Sequence, residues 1–347
     1  MSTVKSLVKQ PLSQLKLLLA KSSVARSAVM QYRLRTGQPD WDHVTSTSAY
    51  RELLATANAG AGLRVLIATS DGAHLGGTRV ESLLALALTA RGAKVDILLC
   101  DGVLPACQEA TMHWYRDARQ FAKRGPSRLH CDGCFSPAHS MYTSLGVPVH
   151  RYSAQLSAEE RAWAKSLAAS VPWDEIREYR HDGIAVGEHA FAGAIRFYAS
   201  AQVVRGPVTE PIVRRYFEGA LLAMLAARRL IRSRKYDVAV FHHGIYVPQG
   251  IIGDVSRQEK VRVVNWHVAY RKKTFIFSHG DTYHHTLMSE PTSMWDQMRW
   301  TQGVEDQVME YLKSRWKGTG DWIHFNRAPQ DELDTCLLYT SDAADEE

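Results

Sequence analysis

The most constraining stretch of this chain is a strand, a glycine-rich turn, a helix and a second strand in direct succession. LRVLIAT (63–69) is apolar and β-branched, and SDGAHLGGT (70–78) follows it. RVESLLALALTARG (79–92) has helical periodicity, and KVDILLC (94–100) is again of strand length. This succession predicts an α/β fold with a parallel, Rossmann-like sheet and flanking helices, which binds ligands at the carboxyl ends of its strands.

The second half of the chain repeats this kind of pattern. TEPIVRRYFEGALLAMLAARRLIRSRKY predicts a long helix beginning at Thr209. YDVAVFHHG, VRVVNWHVAY and KKTFIFSHG each predict a strand, and IIGDVSRQEK predicts a short helix between the first two. We expect the three strand ends to deliver their histidines to one edge of one sheet. Residues 108–208 are polar and predicted to be a mostly helical insertion in a domain that covers residues 61–330.

Composition limits the functional classes. The chain has 347 residues, and it contains no run of about 18 apolar residues, so no transmembrane helix is expected. No signal peptide is recognised, and a cytoplasmic protein is expected. The net charge of +6 suits anionic partners, but no nucleic-acid-binding module is found, so no nucleic acid is expected.

Residues 1–60 are predicted to form a helical, basic N-terminal segment. Its first 38 residues carry seven lysines and arginines before the first acid, Asp40, and several leucines fall close to one helical face. Two interpretations stay open: a surface helix on anionic lipid, which would place the protein on the inner face of the cytoplasmic membrane, or a helix packed on the domain with a solvated basic face.

The glycine-rich loop is the first candidate site. Gly72, Gly76 and Gly77 allow close backbone approach to a ligand, and the following helix N-terminus favours an anion. The spacing is neither that of a dinucleotide fingerprint nor that of a P-loop. Asp71 and His74 are titratable groups suited to acid–base work. The alternative is a tight turn that only closes the unit.

A concentration of histidines is the second candidate site. Six of the fifteen histidines fall within 44 residues, and Asp281 lies among them. A histidine beside a carboxylate can act as a general base for a hydroxyl nucleophile, although hydrogen-bonded core histidines are the alternative for any single one. The six are His242, His243, His267, His279, His284 and His285.

Two further residue clusters are candidate binding sites, one for a metal ion and one for a phosphate. Four of the five cysteines lie within 35 residues, which suggests a structural zinc site or else a set of reduced, buried thiols. These are Cys100, Cys107, Cys131 and Cys134. Arg271 and Lys273 lie between two predicted strands, where they would hold a phosphate or form a solvated turn.

With these residues in place, the chain resembles the N-terminal half of a bacterial glycosyltransferase of the GT-B architecture, of the cell-surface or capsule polysaccharide type. The resemblance covers about residues 60–330 and rests on 63–107, YDVAVFHHGIYVPQG and VRVVNWHVAYRKKTFIFSHGDTYHH. It implies transfer from a nucleotide-sugar, held mostly by a C-terminal domain, to a hydroxyl of a glycan or lipid-linked acceptor, without a metal ion for the transfer.

The resemblance also implies roles for individual residues. The base candidates are His74, Asp71, His243 and Asp281. The residues implied in substrate binding are Gly72, Gly76, Gly77, His242, His279, Arg271 and Lys273. A nucleotide-sugar epimerase of similar fold and a non-catalytic domain that binds polysaccharide or a partner protein are the alternatives.

The last twelve residues, CLLYTSDAADEE (336–347), resemble a translated transposase-type sequencing adaptor. Without its four acids the net charge rises from +6 to +10. We therefore expect that the native reading frame continues into a nucleotide-sugar domain, and that the chain as written binds weakly and does not turn over.

Overall fold

The computed structural model describes residues 23–269 and 274–316, which form two compact units. The first contains the described residues up to Asn265 together with Ser278–Thr282, and the second contains those of Trp266–Phe277 and those from Tyr283 onward. The N-terminal residues 1–22, Arg271, Lys273 and the adaptor-like tail 336–347 lie outside the described residues, so the expectations for them remain predictions.

The strands form one six-stranded sheet. They are β1 (Arg64–Ser70), β2 (Lys94–Leu99), β3 (Val149–Arg151), β4 (Val238–His242), β5 (Arg262–Val268) and β6 (Phe275–His279). Their order is β3-β2-β1-β4-β5-β6, and β1 is parallel to both β2 and β4. This order places a topological switch point between β1 and β4, where open α/β sheets bind their ligands.

The helices of the first unit precede β1 or lie between successive strands. They are α1 (Ser23–Gly37), α2 (Asp42–Thr45), α3 (Ser48–Ala59), α4 (Leu75–Ala90), α5 (Ala118–Arg124), α6 (Arg128–Ser144), α7 (Ala158–Ser170), α8 (Trp173–Ile176), α9 (Val186–Tyr198), α10 (Thr209–Arg234) and α11 (Gln249–Gln258). The α/β fold predicted from sequence is confirmed, including the start of α10 at Thr209 and the capping box of Ser157 and Glu160 on α7.

The core lies between the sheet and α10. Leu66 of β1 and Leu98 of β2 are fully buried, as are Phe217 and Leu221 of α10. Burying one such side chain contributes about 1.5–3 kcal/mol, so the 26-residue α10 is held by packing rather than by intrinsic helix propensity.

The stretch 108–208 differs from the predicted helical insertion in one respect. It is mostly helical, but it also contributes β3, whose Val149 pairs with Ile97 of β2 in parallel register. The three residues of β3 are too short for hydrophobic periodicity to reveal them. The segment is therefore partly a crossover that completes the sheet.

The second unit contains α12 (Tyr283–Thr286), α13 (Ser293–Asp296) and α14 (Gln302–Trp316). Within it the ring of His267 lies 4.9 Å from that of Tyr283 and 5.9 Å from that of His284. Among the described residues, no helix combines the length and the apolar character needed to cross a membrane.

Candidate functional site

Two neighbouring strands end in a strained backbone conformation at the switch point. Ser70, the last residue of β1, has a φ of 64°, and His243, directly after β4, has a φ of 67°. A residue other than glycine held in this left-handed region costs on the order of 1–3 kcal/mol, and such strain concentrates at functional sites. The pair therefore marks this edge of the sheet as a candidate site.

The side chain of Ser70 is held by three buried partners. Its Oγ lies 3.0 Å from the Leu98 carbonyl oxygen, 3.1 Å from the Ala68 carbonyl oxygen and 3.2 Å from the Tyr152 hydroxyl. Tyr152 is fully buried. These contacts fix the point at which the glycine-rich loop leaves β1.

Three imidazoles meet beyond the strand ends. The ring centroid of His74, in the glycine-rich loop, lies 4.7 Å from that of His242, which in turn lies 5.1 Å from that of His243. Thr282 and Tyr246 both contact His243. The Thr282 hydroxyl donates to the His243 carbonyl oxygen at 2.7 Å, and the centroid of the Tyr246 ring lies 4.9 Å from that of the His243 ring. We call His74, His242 and His243 the histidine group. The loop after β1 and the end of β4 thus lie at one edge of the sheet.

A buried network of hydrogen bonds holds the strand ends next to the histidine group. The Thr69 hydroxyl donates to Glu81 of α4, and Thr69 Oγ1 accepts the backbone N–H of His242 at 2.8 Å. The Tyr142 hydroxyl donates to the other Glu81 oxygen, and the Gln249 side-chain amide donates to the Thr69 carbonyl oxygen at 2.9 Å. Glu81 is 2% exposed, so an interior carboxylate holds the Thr69 hydroxyl that joins the end of β1 to the end of β4.

The three glycines of the loop have different surroundings. A Cβ on Gly77 would lie 2.8 Å from His74 Nδ1, so the absence of a side chain there makes room for the His74 ring. Gly72 instead faces α6, where a Cβ would lie 2.2 Å from the Cys134 carbonyl oxygen. Gly76 is exposed and has ordinary contacts only, the nearest to His74 Nε2. The loop is thus shaped both by packing and by the candidate site.

Asp71 is 7% exposed and faces a cavity rather than the histidine group's rings. Its Oδ1 accepts the Ala73 backbone N–H at 2.9 Å, and its Oδ2 accepts the Gln108 side-chain amide at 2.6 Å. Burial raises the pKa of Glu109 well above its ordinary value, and the charge of Asp71 and a hydrogen bond to it add to this. Burial and the nearby Asp71 charge therefore both disfavour the ionised form of Glu109.

The four clustered cysteines line the same cavity as Asp71 and Glu109. All four are free thiols. Burial raises the pKa of Cys100 to about 11 and that of Cys131 to about 12, and it raises the pKa values of Cys107 and Cys134 well above the ordinary value. Within the described part of the chain, no three of these sulfur atoms lie within 4.8 Å of one another.

The remaining predicted residues have other surroundings. Asp281 accepts from the Arg257 guanidinium at 3.1 Å and from the Thr282 backbone N–H at 2.7 Å, so it fixes the turn that reaches His243. His279 is exposed at the end of β6. The six histidines of the sequence cluster are divided between the two units, with His242, His243 and His279 in the first.

Sequence reasoning missed several residues around this edge. Arg196 of α9 lies over the Tyr246 ring at 5.1 Å and donates to the Gln108 carbonyl oxygen at 3.1 Å. Glu109 lies in ordinary loop sequence, and only its tertiary contacts identify it, whereas Glu81 lies on the apolar helix α4. A carboxylate among the apolar residues of α4 was the one readable signal, because such residues are seldom buried without a partner.

Comparison of the chain with protein-family models finds no match, and comparison with curated proteins finds none either. The geometry of the switch point and the residues that surround it therefore carry the functional proposal.

Proposed function

We propose that the switch point between β1 and β4 is the acceptor side of a glycosyltransferase active site. The observation that carries this proposal is the pairing of the His74 and His242 rings at 4.7 Å, which joins the loop after β1 to the end of β4. The strand order supports it, because a doubly wound sheet binds ligands at this position. The resemblance of residues 60–330 to the acceptor-side half of GT-B enzymes agrees with it.

In this proposal a histidine acts as the general base. His74 is partly exposed, and it lies at the N-cap of the 16-residue helix α4, whose dipole disfavours a positive charge there and so favours the neutral, proton-accepting imidazole. The acceptor hydroxyl gives its proton to the imidazole while its oxygen bonds to the anomeric carbon of the donor sugar. The bond from that carbon to the nucleoside diphosphate breaks, and the diphosphate leaves with the bonding electrons.

Two neighbouring side chains suit a sugar-containing substrate. Tyr246 presents a partly exposed ring with a polar end beside His243. Arg196 is exposed and brings a permanent positive charge over that ring, close enough to pair with an anionic group of an acceptor or donor. Asp71, Gly72, Gly76 and Gly77 shape the loop in this scheme.

The partners follow from the same proposal. The acceptor is a cell-surface glycan or a lipid-linked sugar, and the nucleotide-sugar is held mostly by a second domain, with Arg271 and Lys273 contributing to the diphosphate. The reaction takes place in the cytoplasm, on the inner face of the membrane, and neither nucleic acid nor a metal ion takes part in the transfer.

The acceptor site is tested by saturation-transfer NMR on the whole chain with a panel of capsule-type oligosaccharides. We expect saturation of at least one glycan by the unaltered chain and a loss of most of that signal in His74→Ala and His243→Ala. Gly77→Ala displaces the His74 ring without removing it, so it should weaken the signal too. The matched control is His43→Ala, an exposed histidine on α2, which should leave the signal unchanged.

Glycan binding that survives both His74→Ala and His243→Ala would contradict the proposed site and favour a non-catalytic surface. Product analysis separates the two enzyme classes. Transfer releases a nucleoside diphosphate together with a glycosylated acceptor, whereas an epimerase returns an isomerised nucleotide-sugar.

A further inference from the structure

A small cavity lies beneath the glycine-rich loop, apart from the histidine group. It has a volume of about 30 Å³, which is room for one water-sized sphere. Four thiols and two carboxyls line it, an unusual concentration of metal-binding side chains for so small a space. The cysteines are Cys100, Cys107, Cys131 and Cys134, and the acids are Asp71 and Glu109.

The cysteines reach this cavity from three separate parts of the chain. Cys100 directly follows β2, Cys107 lies in the loop after it, and Cys131 and Cys134 lie three residues apart on α6, which puts them on one face of that helix. The fold therefore gathers them, since no local turn brings all four together. Residues at these positions converge only if α6 packs tightly on the strand ends.

Two glycines permit that close packing. A Cβ on Gly102, whose φ is 86°, would lie 2.9 Å from the Cys131 Cβ. A Cβ on Gly72 would lie 2.2 Å from the Cys134 carbonyl oxygen and 2.6 Å from the Ala138 Cβ. The turns after β1 and β2 thus both lack a side chain where they meet the helix that carries Cys131 and Cys134.

We propose that this cavity binds one zinc ion through Cys100, Cys107, Cys131 and Cys134. Four thiolates form the closed, tetrahedral set typical of structural zinc, which suits a site with no open position for substrate. Each thiol loses its proton to solvent on binding, and no electron transfer occurs. Because no three of these sulfur atoms lie within 4.8 Å of one another, zinc binding requires the sulfur atoms to move closer together.

Such an ion would pin α6 to the end of β2 and to the loop that follows it. Cys134 Sγ lies 3.6 Å from Asp71 Oδ1, so the metal would act directly beneath the loop that carries His74. This inference does not depend on the proposed glycosyl transfer, because a structural zinc site would serve any chemistry at the switch point.

The test is the metal content of the whole chain purified under reducing conditions in the presence of zinc. We expect Cys131→Ser and Cys134→Ser each to bind about one equivalent less zinc than the unaltered chain. Cys336→Ser, the fifth cysteine, is the matched control and should leave the zinc content unchanged. Equal zinc content in all four proteins would overturn the proposal.

A second measurement covers variants that fail to fold. Metal-free unaltered chain is titrated with Co²⁺, and we expect thiolate-to-cobalt charge-transfer bands with tetrahedral ligand-field bands that saturate at one equivalent and disappear on addition of Zn²⁺. Cobalt spectra without thiolate-to-cobalt bands would show that any bound metal is not held by these cysteines, and would contradict the proposal.

Discussion

Gly72→Ala is expected to destabilise the protein by about 3 kcal/mol or more, at the upper end of the cost of overpacking. The added Cβ would meet the Cys134 carbonyl oxygen at 2.2 Å and the Ala138 Cβ at 2.6 Å. Both neighbours belong to α6, so relief requires the helix to move as a body away from the end of β1. Urea unfolding followed by circular dichroism measures the effect.

A second glycine in the same loop supplies the control. A Cβ on Gly76 meets nothing closer than His74 Nε2 at 3.5 Å, and Gly76 lies within α4, where alanine is favoured over glycine by up to about 1 kcal/mol. Gly76→Ala should therefore unfold at the same urea concentration as the unaltered chain or a higher one. An equal loss of stability in Gly72→Ala and Gly76→Ala would contradict the close packing of α6 on the loop.

Asp254→Asn is expected to cost about 3 kcal/mol at pH 7, since it removes a largely buried carboxylate that pairs with Arg257 and contacts His189. Asp254 Oδ2 lies 3.4 Å from His189 Nε2 and accepts the Ala185 backbone N–H at 3.0 Å. Burial by itself raises the pKa of Asp254. The hydrogen bond to His189, the charge of His189, the hydrogen bond from the Ala185 N–H and the charge of Arg257 act in the opposite direction. Together they hold the pKa of Asp254 well below its ordinary value. His189 Nδ1 also lies 2.6 Å from the Ile245 carbonyl oxygen, so the pair anchors the segment after His243.

The pH dependence follows from that lowered pKa. The stabilisation is fully present above the ordinary aspartate pKa of about 3.9 and is lost as the pH falls below it. The difference between the free energies of unfolding of the unaltered chain and of Asp254→Asn should therefore shrink progressively as the pH falls from about 5 to about 2, as urea titrations at each pH would show. Asp182→Asn, which removes an exposed partner of Arg228, should change stability less. If the difference in the free energy of unfolding between the unaltered chain and Asp254→Asn stayed constant down to pH 2, an ionised Asp254 would be contradicted.

The fold was readable from sequence where apolar residues follow a clear period. β1, α4 and β2 form one uninterrupted succession, and parallel strands must deliver their carboxyl ends to the same edge. That is why the glycine-rich loop, which follows β1, could be placed at the ligand-binding edge of the sheet. The three residues of β3 were not predicted, because so short a strand takes its structure from pairing with β2 rather than from its own pattern.

The candidate site was predictable in its residue types but not in its partners. Asp71 and His74 are three residues apart, yet Asp71 faces the cysteine cavity while His74 meets His242. Asp281 was predicted as a base from its place among histidines, whereas Arg257, 24 positions earlier, engages it in an ion pair. Such pairings depend on how α11 and α6 pack, and single-sequence patterns carry little information about contacts at that range.

The left-handed conformations of Ser70 and His243 limit which sequences can build this edge. Valine, isoleucine and threonine are strongly disfavoured at both positions, whereas glycine and asparagine fit them readily. Descendants of a common ancestor should therefore vary at these two positions only among small or polar residues, even where the surrounding loops have diverged. A pair of such positions about 170 residues apart, one ending the buried strand β1 and one directly after the buried strand β4, offers a fingerprint by which distant relatives of this chain can be recognised.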